Sequence, residues 1–190
     1  MRLGADQREA IAECLGLINS ARSNAGDQLR DVRDIVAFGR RHRVENLDAA
    51  TPDDVARLWT FRARLDAIAI ACEAGDQPAA IGGLNLLLAE TGAVPQIVSH
   101  DGRGPHIHVT KASAPLADRI AAHSAMGLAE LVVAGQSHRV HSCQAPGCRQ
   151  VFVDLSRNQC RRYCDSRTCG NRMHVAAYRA RRSGVARPGS

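Results

Sequence analysis

Apolar residues recur every three or four positions over most of the first 135 residues, which predicts a mainly helical body. The expected helices cover the segments 7–20, 29–42, 52–74, 78–91 and 115–134. The third is the best defined, because Thr51, Pro52 and Asp54 form an N-terminal capping signature and Gly75 ends the pattern.

The period changes to strict alternation in two short segments, "VPQIVSH" and "HIHVT", on either side of the turn sequence "DGRGP". This pattern predicts a β-hairpin. His106 and His108 alternate on the second strand and should share one face, where they are candidates for binding a metal ion or an anionic ligand. Half-exposed histidines that bind nothing are the alternative.

Charge divides the chain near residue 138. The segment 1–138 has a net charge of −3, whereas the segment 139–190 carries eleven arginines against two acids, a net charge of +9. Such a concentration is typical of a nucleic-acid-binding module, and a solvated basic face is the alternative. We therefore expect a helical body at 1–138, a basic module at 139–182 and a disordered tail at 183–190.

The basic module contains two cysteine pairs of equal spacing, Cys143 with Cys148 and Cys164 with Cys169. The first pair encloses a Pro-Gly turn followed by a strand-like segment, and the second opens a helix, as in a treble-clef-like finger. We expect the four thiolates to bind one structural Zn²⁺, which leaves no open coordination position for catalysis. Cys160 is a fifth thiol and an alternative to Cys164.

The compartment is expected to be the cytoplasm, near the nucleoid. No signal peptide is evident at the start of the sequence, and no apolar run is long enough to span a bilayer. Thiols stay reduced in the cytoplasm, where clustered cysteines indicate a metal site before disulfides.

Arginines near the cysteines are candidates for contacting double-stranded DNA, because the guanidinium fork suits phosphates and guanine edges. Three of them share one face of the predicted last helix, and the other candidates precede it on a loop. The candidates are Arg157, Asn158, Arg161, Arg162, Arg172, Arg179 and Arg182. For Arg172, pairing with Asp154 is an alternative to a phosphate contact. A zinc-stabilised module that binds protein or RNA without duplex DNA is the alternative function.

Four short motifs carry a resemblance: the first cysteine pair, "F-x-D-x-S-R-N" at 152–158, "RRYC" at 161–164 and "CGNR" at 169–172. With them the chain resembles bacterial CGNR zinc-finger proteins that have an ABATE-type N-terminal domain. The resemblance implies a transcription regulator, in some members linked to stress responses. It also implies that Cys143, Cys148, Cys164 and Cys169 bind the zinc and that the finger contacts DNA.

The body is larger than a finger needs for support, so we expect it to bind a small effector or to form a homodimer. No pattern of nucleophile and base indicates an enzyme, and no catalytic residue is predicted. The predicted fold class is thus mostly α with small β (α+β): a helical N-terminal domain with one hairpin, and a C-terminal treble-clef-like zinc finger.

Overall fold

The computed structural model describes residues 4–99 and 104–184. It confirms the predicted fold class, since helices dominate and the strands form two small antiparallel hairpins. The helices are α1 (Ala5–Ala21), α2 (Val32–Arg41), α3 (Pro52–Ala74), α4 (Gln77–Glu90), α5 (Leu116–Val133) and α6 (Asn171–Gly184). The strands are β1 (Gln96–Ser99), β2 (Pro105–His108), β3 (Val140–Ser142) and β4 (Val151–Val153).

The core lies where α1, α3, α4 and α5 pack together around buried aliphatic side chains. Gly127 of α5 marks the closest approach to α1. A Cβ at this position would lie 2.8 Å from the backbone carbonyl carbon of Ala10 and from the backbone nitrogen of Ile11. Backbone atoms cannot move aside as a side chain can, so only glycine allows this close packing of the two helices.

The N-terminus of α3 links a local cap to the tertiary structure. The Asp54 carboxylate accepts from the Thr51 amide at 2.8 Å, as the capping signature predicts. Its other oxygen accepts from the amide of Ala117, at the start of α5, also at 2.8 Å. A residue that the local pattern explains as a cap therefore also positions a helix 63 residues away.

The second hairpin joins the basic module to the body. Strands β3 and β4 pair in antiparallel register, with Val140 opposite Val153 and Ser142 opposite Val151. The three valines are buried in the same hydrophobic cluster as the body helices. The start of the cysteine-rich segment is therefore part of the main core.

Polar side chains from the body also hold this segment. Asn19 of α1 donates to the Val151 carbonyl and accepts from the Val151 amide, both at 2.8 Å. Glu73 of α3 accepts from the amide and the hydroxyl of Ser142, each at 2.7 Å. Because α1 and α3 are rigid, these contacts fix the cysteine-rich segment relative to the body.

Replacing Asn19 by alanine tests this connection. Asn19→Ala leaves the amide and the carbonyl of Val151 without their partner, so we expect a loss of about 2 kcal/mol in the free energy of unfolding and a fall in Tm of roughly 5 °C. Thermal denaturation measures the effect. Asn158→Ala, at an exposed loop position, is the matched control and should leave Tm unchanged. Equal Tm values for the two variants would contradict the connection.

Two parts of the structure differ from the sequence prediction. Helix α2 begins at Val32 rather than at 29, because the Asp31 carboxylate caps it by accepting from the Asp34 amide. Helix α6 continues to Gly184, two residues into the segment predicted to be disordered. The remainder of that predicted tail, 185–190, lies outside the described residues. Within the described ranges, no helix has the length and apolar character needed to cross a bilayer.

Candidate metal centre and nucleic-acid interface

Four cysteine sulfurs converge at one point of the finger. The Sγ atoms of Cys143, Cys148, Cys164 and Cys169 all lie within 4.8 Å of one another. Cys148 Sγ is 3.8 Å and Cys169 Sγ is 3.7 Å from Cys164 Sγ. Sulfurs bound tetrahedrally at about 2.3 Å from a zinc ion stand about 3.8 Å apart, so the donor set and its spacing fit one structural Zn²⁺. Cys160 is exposed and lies outside this cluster.

The electrostatics of the cluster favour a bound cation. Burial and the neighbouring sulfurs raise the pKa of Cys164. Burial also opposes ionisation of Cys143, but the amides of Cys164 and Ala145 donate to its sulfur and hold its pKa below the usual value. Four crowded thiols do not all ionise by themselves, whereas a divalent cation stabilises all four as thiolates.

Two local turns aim the sulfurs. Between the first two cysteines, Gly147 has a φ of 74°, a left-handed conformation that glycine adopts without strain. Cys169 lies in a single π-helical turn, Ser166–Gly170, which Asp165 caps by accepting from the Thr168 amide at 2.7 Å. Helix α6 follows directly, so the metal cluster fixes where this helix begins.

A buried network shapes the loop between β4 and Cys164. Asp154 is fully buried and accepts from the amides of Ser156 and Arg161, both at 2.8 Å. Burial opposes its charge, but these hydrogen bonds hold its pKa below the ordinary value. The Arg139 guanidinium donates to the carbonyls of Asp154 and Ser156. The loop that carries Arg157 and Asn158 is therefore anchored at both of its ends.

Three of the predicted DNA-contacting arginines hold the finger together. Arg161 donates to the carbonyls of Tyr163 and Cys164, and its guanidinium lies 4.9 Å from the centre of the Phe152 ring. Arg162 donates to the Gln144 side chain at 2.7 Å.

Arg172 donates to the Pro146 carbonyl at 3.0 Å and lies 3.9 Å from the sulfur of Cys169. Arg172 does not pair with Asp154, one of its two expected partners, and the carboxylate of Asp154 is bound instead by backbone amides of its own loop. Arg172 thus bridges the first cysteine turn and the start of α6.

All seven candidates are exposed, including Arg161, Arg162 and Arg172. Arg157 and Asn158 lie at the surface of the loop, and Arg179 and Arg182 lie on α6. Along α6 the described side chains are exposed, apart from the partly buried Met173, which packs against the cysteine cluster. The Arg182 guanidinium lies over the Tyr178 ring of the same helix. Helix α6 therefore presents a basic surface to solvent.

A second site, which the sequence indicates only in part, lies in the body. A cavity of about 120 Å³ opens between α1, the end of α2, β2 and α5. His106 and His108 line it, as the strand alternation allows, but the other lining groups come from distant parts of the chain. Those with titratable side chains are Asp6, Glu9, Glu13, His42, Arg43, Glu45, Arg119 and His123.

Glu13 is the most buried acid of this cavity, at 2% exposure. Its carboxylate lies 3.1 Å from Nδ1 of His123 and accepts from the hydroxyl of Ser124 at 3.0 Å. Burial alone would lower the pKa of His123, but the hydrogen bond and charge of Glu13, with Glu9 and Asp6, raise it above the ordinary value. The contact between Glu13 and His123 could not be predicted from the sequence, because the two residues are 110 positions apart.

Comparison with known proteins identifies two families. The model of the CGNR zinc finger matches residues 139–182. The ABATE model, described as "Putative stress-induced transcription regulator", matches residues 12–135, more than half of the chain. These families are a zinc finger and a regulator rather than enzymes. No curated protein matches the chain. The chain therefore belongs to the ABATE family and carries a C-terminal CGNR zinc finger with one structural zinc site.

Proposed function

We propose that the protein regulates transcription by binding double-stranded DNA through its zinc finger. The observation that carries this proposal is helix α6, which leaves the metal cluster with its arginines exposed. Helix α6 carries apolar residues as well, but Val175 and Tyr178 are exposed, so the helix has little packing of its own to hold it in place. Contact with a polyanion is one way to order such a helix.

The dimensions of helix α6 suit the major groove of duplex DNA. Helix α6 has 14 residues and is therefore about 21 Å long. The major groove is about 12 Å wide and admits an α-helix. Arg179 and Arg182 are three residues apart and lie on one face of α6. We assign phosphate or base contacts to this face.

The loop before the second cysteine pair provides a second contact. Arg157 and Asn158 are exposed on it, while Asp154 and Arg139 anchor it from inside. A loop that is fixed before binding loses little conformational freedom on contact, which favours affinity. Arg161, Arg162 and Arg172 support this surface mainly by holding the finger.

The body connects a cavity to the finger. Helix α1 lines the cavity through Glu9 and Glu13, and near its other end Asn19 bonds to β4. An effector that shifted α1 would therefore move the finger, which is a route for coupling effector binding to DNA affinity. A homodimer formed through the body is the second arrangement that would use its size. A protein that binds chromosomal DNA in this way would act at the nucleoid, in the cytoplasm.

Binding of duplex DNA at several salt concentrations tests the proposal. Three arginine–phosphate contacts, from Arg157, Arg179 and Arg182, predict that log K falls with log salt with a slope of about −2.7, so that affinity drops about fortyfold between 50 and 200 mM salt. Fluorescence anisotropy with labelled duplexes measures this slope. Zinc-loaded protein that binds RNA or a protein partner but no duplex at low salt would establish the alternative module and overturn the proposal.

A further inference from the structure

We propose that the cavity of the body binds a divalent transition-metal ion through His106 and His108, with Glu45 as the third protein ligand. This site lies outside the cysteine cluster, and its occupation can be measured without DNA. Binding of this metal ion is therefore tested independently of the proposed function.

The two imidazoles converge as chelating histidines do. Nε2 of His106 lies 3.2 Å from Nε2 of His108. Ligand nitrogens about 2.1 Å from one metal ion stand roughly 3.0–3.4 Å apart at angles between 90° and tetrahedral. Residues two positions apart on a strand share a face, but their rings do not have to meet at the same edge. Here both rings turn the same nitrogen toward one point.

A backbone carbonyl sets the tautomer of His106. Nδ1 of this ring lies 3.0 Å from the Gly104 carbonyl oxygen, which can only accept, so Nδ1 carries the proton. In the neutral ring Nε2 then holds a lone pair directed at His108. A carbonyl that orients the far nitrogen of a histidine is a recurrent feature of metal sites in proteins. A hydrogen bond from His108 to His106 would explain the distance without a metal, and the experiment below separates the two.

Among the described carboxylates, that of Glu45 lies within ion-pair distance of His108. Its Oε1 lies 4.0 Å from Nε2 of His108, and its side chain is 35% exposed. Ligation by Glu45 requires this partly exposed side chain to rotate toward the two nitrogens. Two imidazoles and one carboxylate suit zinc, nickel, cobalt or iron(II), whereas calcium and magnesium prefer oxygen ligands alone.

Acidic groups outnumber the guanidinium groups around the cavity. Four carboxylates, those of Asp6, Glu9, Glu13 and Glu45, line it together with two guanidinium groups and with His123, which is paired with Glu13. One of these, Arg43, pairs with Glu9 at 3.0 Å. The other, Arg119, has a buried Nε without a hydrogen-bond partner among the described residues. The cavity of about 120 Å³ leaves space for a water or a small anion that completes the coordination and accepts from this Nε.

Titration of the zinc-loaded, full-length protein with Ni²⁺ tests the site. Elemental analysis first establishes one zinc per chain, and isothermal titration then counts the additional equivalents. We expect one additional Ni²⁺ per chain, with affinity reduced at least tenfold in His106→Ala/His108→Ala. The matched control is His138→Ala/His174→Ala, which removes two exposed histidines from the finger and should bind as the wild type does.

A second variant and a second readout keep the test decisive if the double variant folds poorly. Glu45→Gln leaves the hairpin unchanged and should weaken the additional equivalent while the zinc content stays at one. Co²⁺ in the additional site should give d–d absorption without the sulfur-to-metal charge-transfer band of a thiolate site. Wild-type protein that takes up no additional equivalent, or a double variant with unchanged affinity, would overturn the proposal.

Discussion

Cys148→Ser is expected to release the zinc and to unfold the finger. Cys148 is one of four sulfurs within 4.8 Å of one another, and a hydroxyl is a poor substitute for a thiolate at zinc. Binding of a structural zinc contributes on the order of 10 kcal/mol to folding, far more than the small cysteine cluster gains from its own packing. Elemental analysis should find close to one zinc in the wild type and almost none in the variant.

Loss of the zinc should also destabilise the helical body. Val140, Val151 and Val153 extend the main core into the finger, so disorder in the finger removes part of the packing around α1 and α3. Limited proteolysis should cleave the variant first within residues 143–184, and Tm should fall. Cys160→Ser is the matched control, because Cys160 is exposed and outside the cluster. A variant at position 148 that keeps its zinc would show that the ligand set is different.

Arg179→Ala/Arg182→Ala is expected to lose most of its affinity for duplex DNA while it keeps its zinc. Both side chains lie on the exposed helix α6, more than two helical turns beyond Cys169, so the metal cluster should remain intact. Removing two arginine–phosphate contacts should reduce the salt slope by about 2, and affinity at low salt should fall at least tenfold.

A control with the same change in net charge isolates the effect of position. Arg33→Ala/Arg40→Ala removes two exposed arginines from α2 in the body. This variant should bind duplex DNA nearly as the wild type does. If both pairs weaken binding equally, overall charge rather than α6 accounts for the affinity, and the helix would have no specific place in the interface.

Local patterns predicted the elements that depend on neighbours in sequence. The start of α3 at Pro52 and its end before Gly75 agree with the capping signature, because both signals act within one helical turn. The cysteine cluster could be predicted for a similar reason, since each pair is closed by its own turn. Helix α2 begins three residues later than the apolar pattern predicts, because Asp31 caps the helix within that segment.

Contacts between distant segments could not be predicted from the sequence. Asn19 follows an apolar helix pattern and could equally have been a solvated side chain, yet its partner lies 132 residues away. The pairing of Glu13 with His123 also joins distant parts of the chain, and the composition does not reveal that this carboxylate is buried. The roles of Arg161, Arg162 and Arg172 depend on which carbonyls and side chains the folded loops bring within reach. Spacing alone could not show which arginines bind neighbouring groups of the finger.

The most direct measurement compares duplex DNA binding by one protein sample before zinc removal, after it, and after zinc is restored under reducing conditions. The zinc-loaded protein should bind with a steep salt dependence, the stripped protein should lose that binding, and added zinc should recover it. Undiminished DNA binding by the stripped protein, or none by the zinc-loaded protein at low salt, would contradict the view that a metal-held arginine surface recognises DNA.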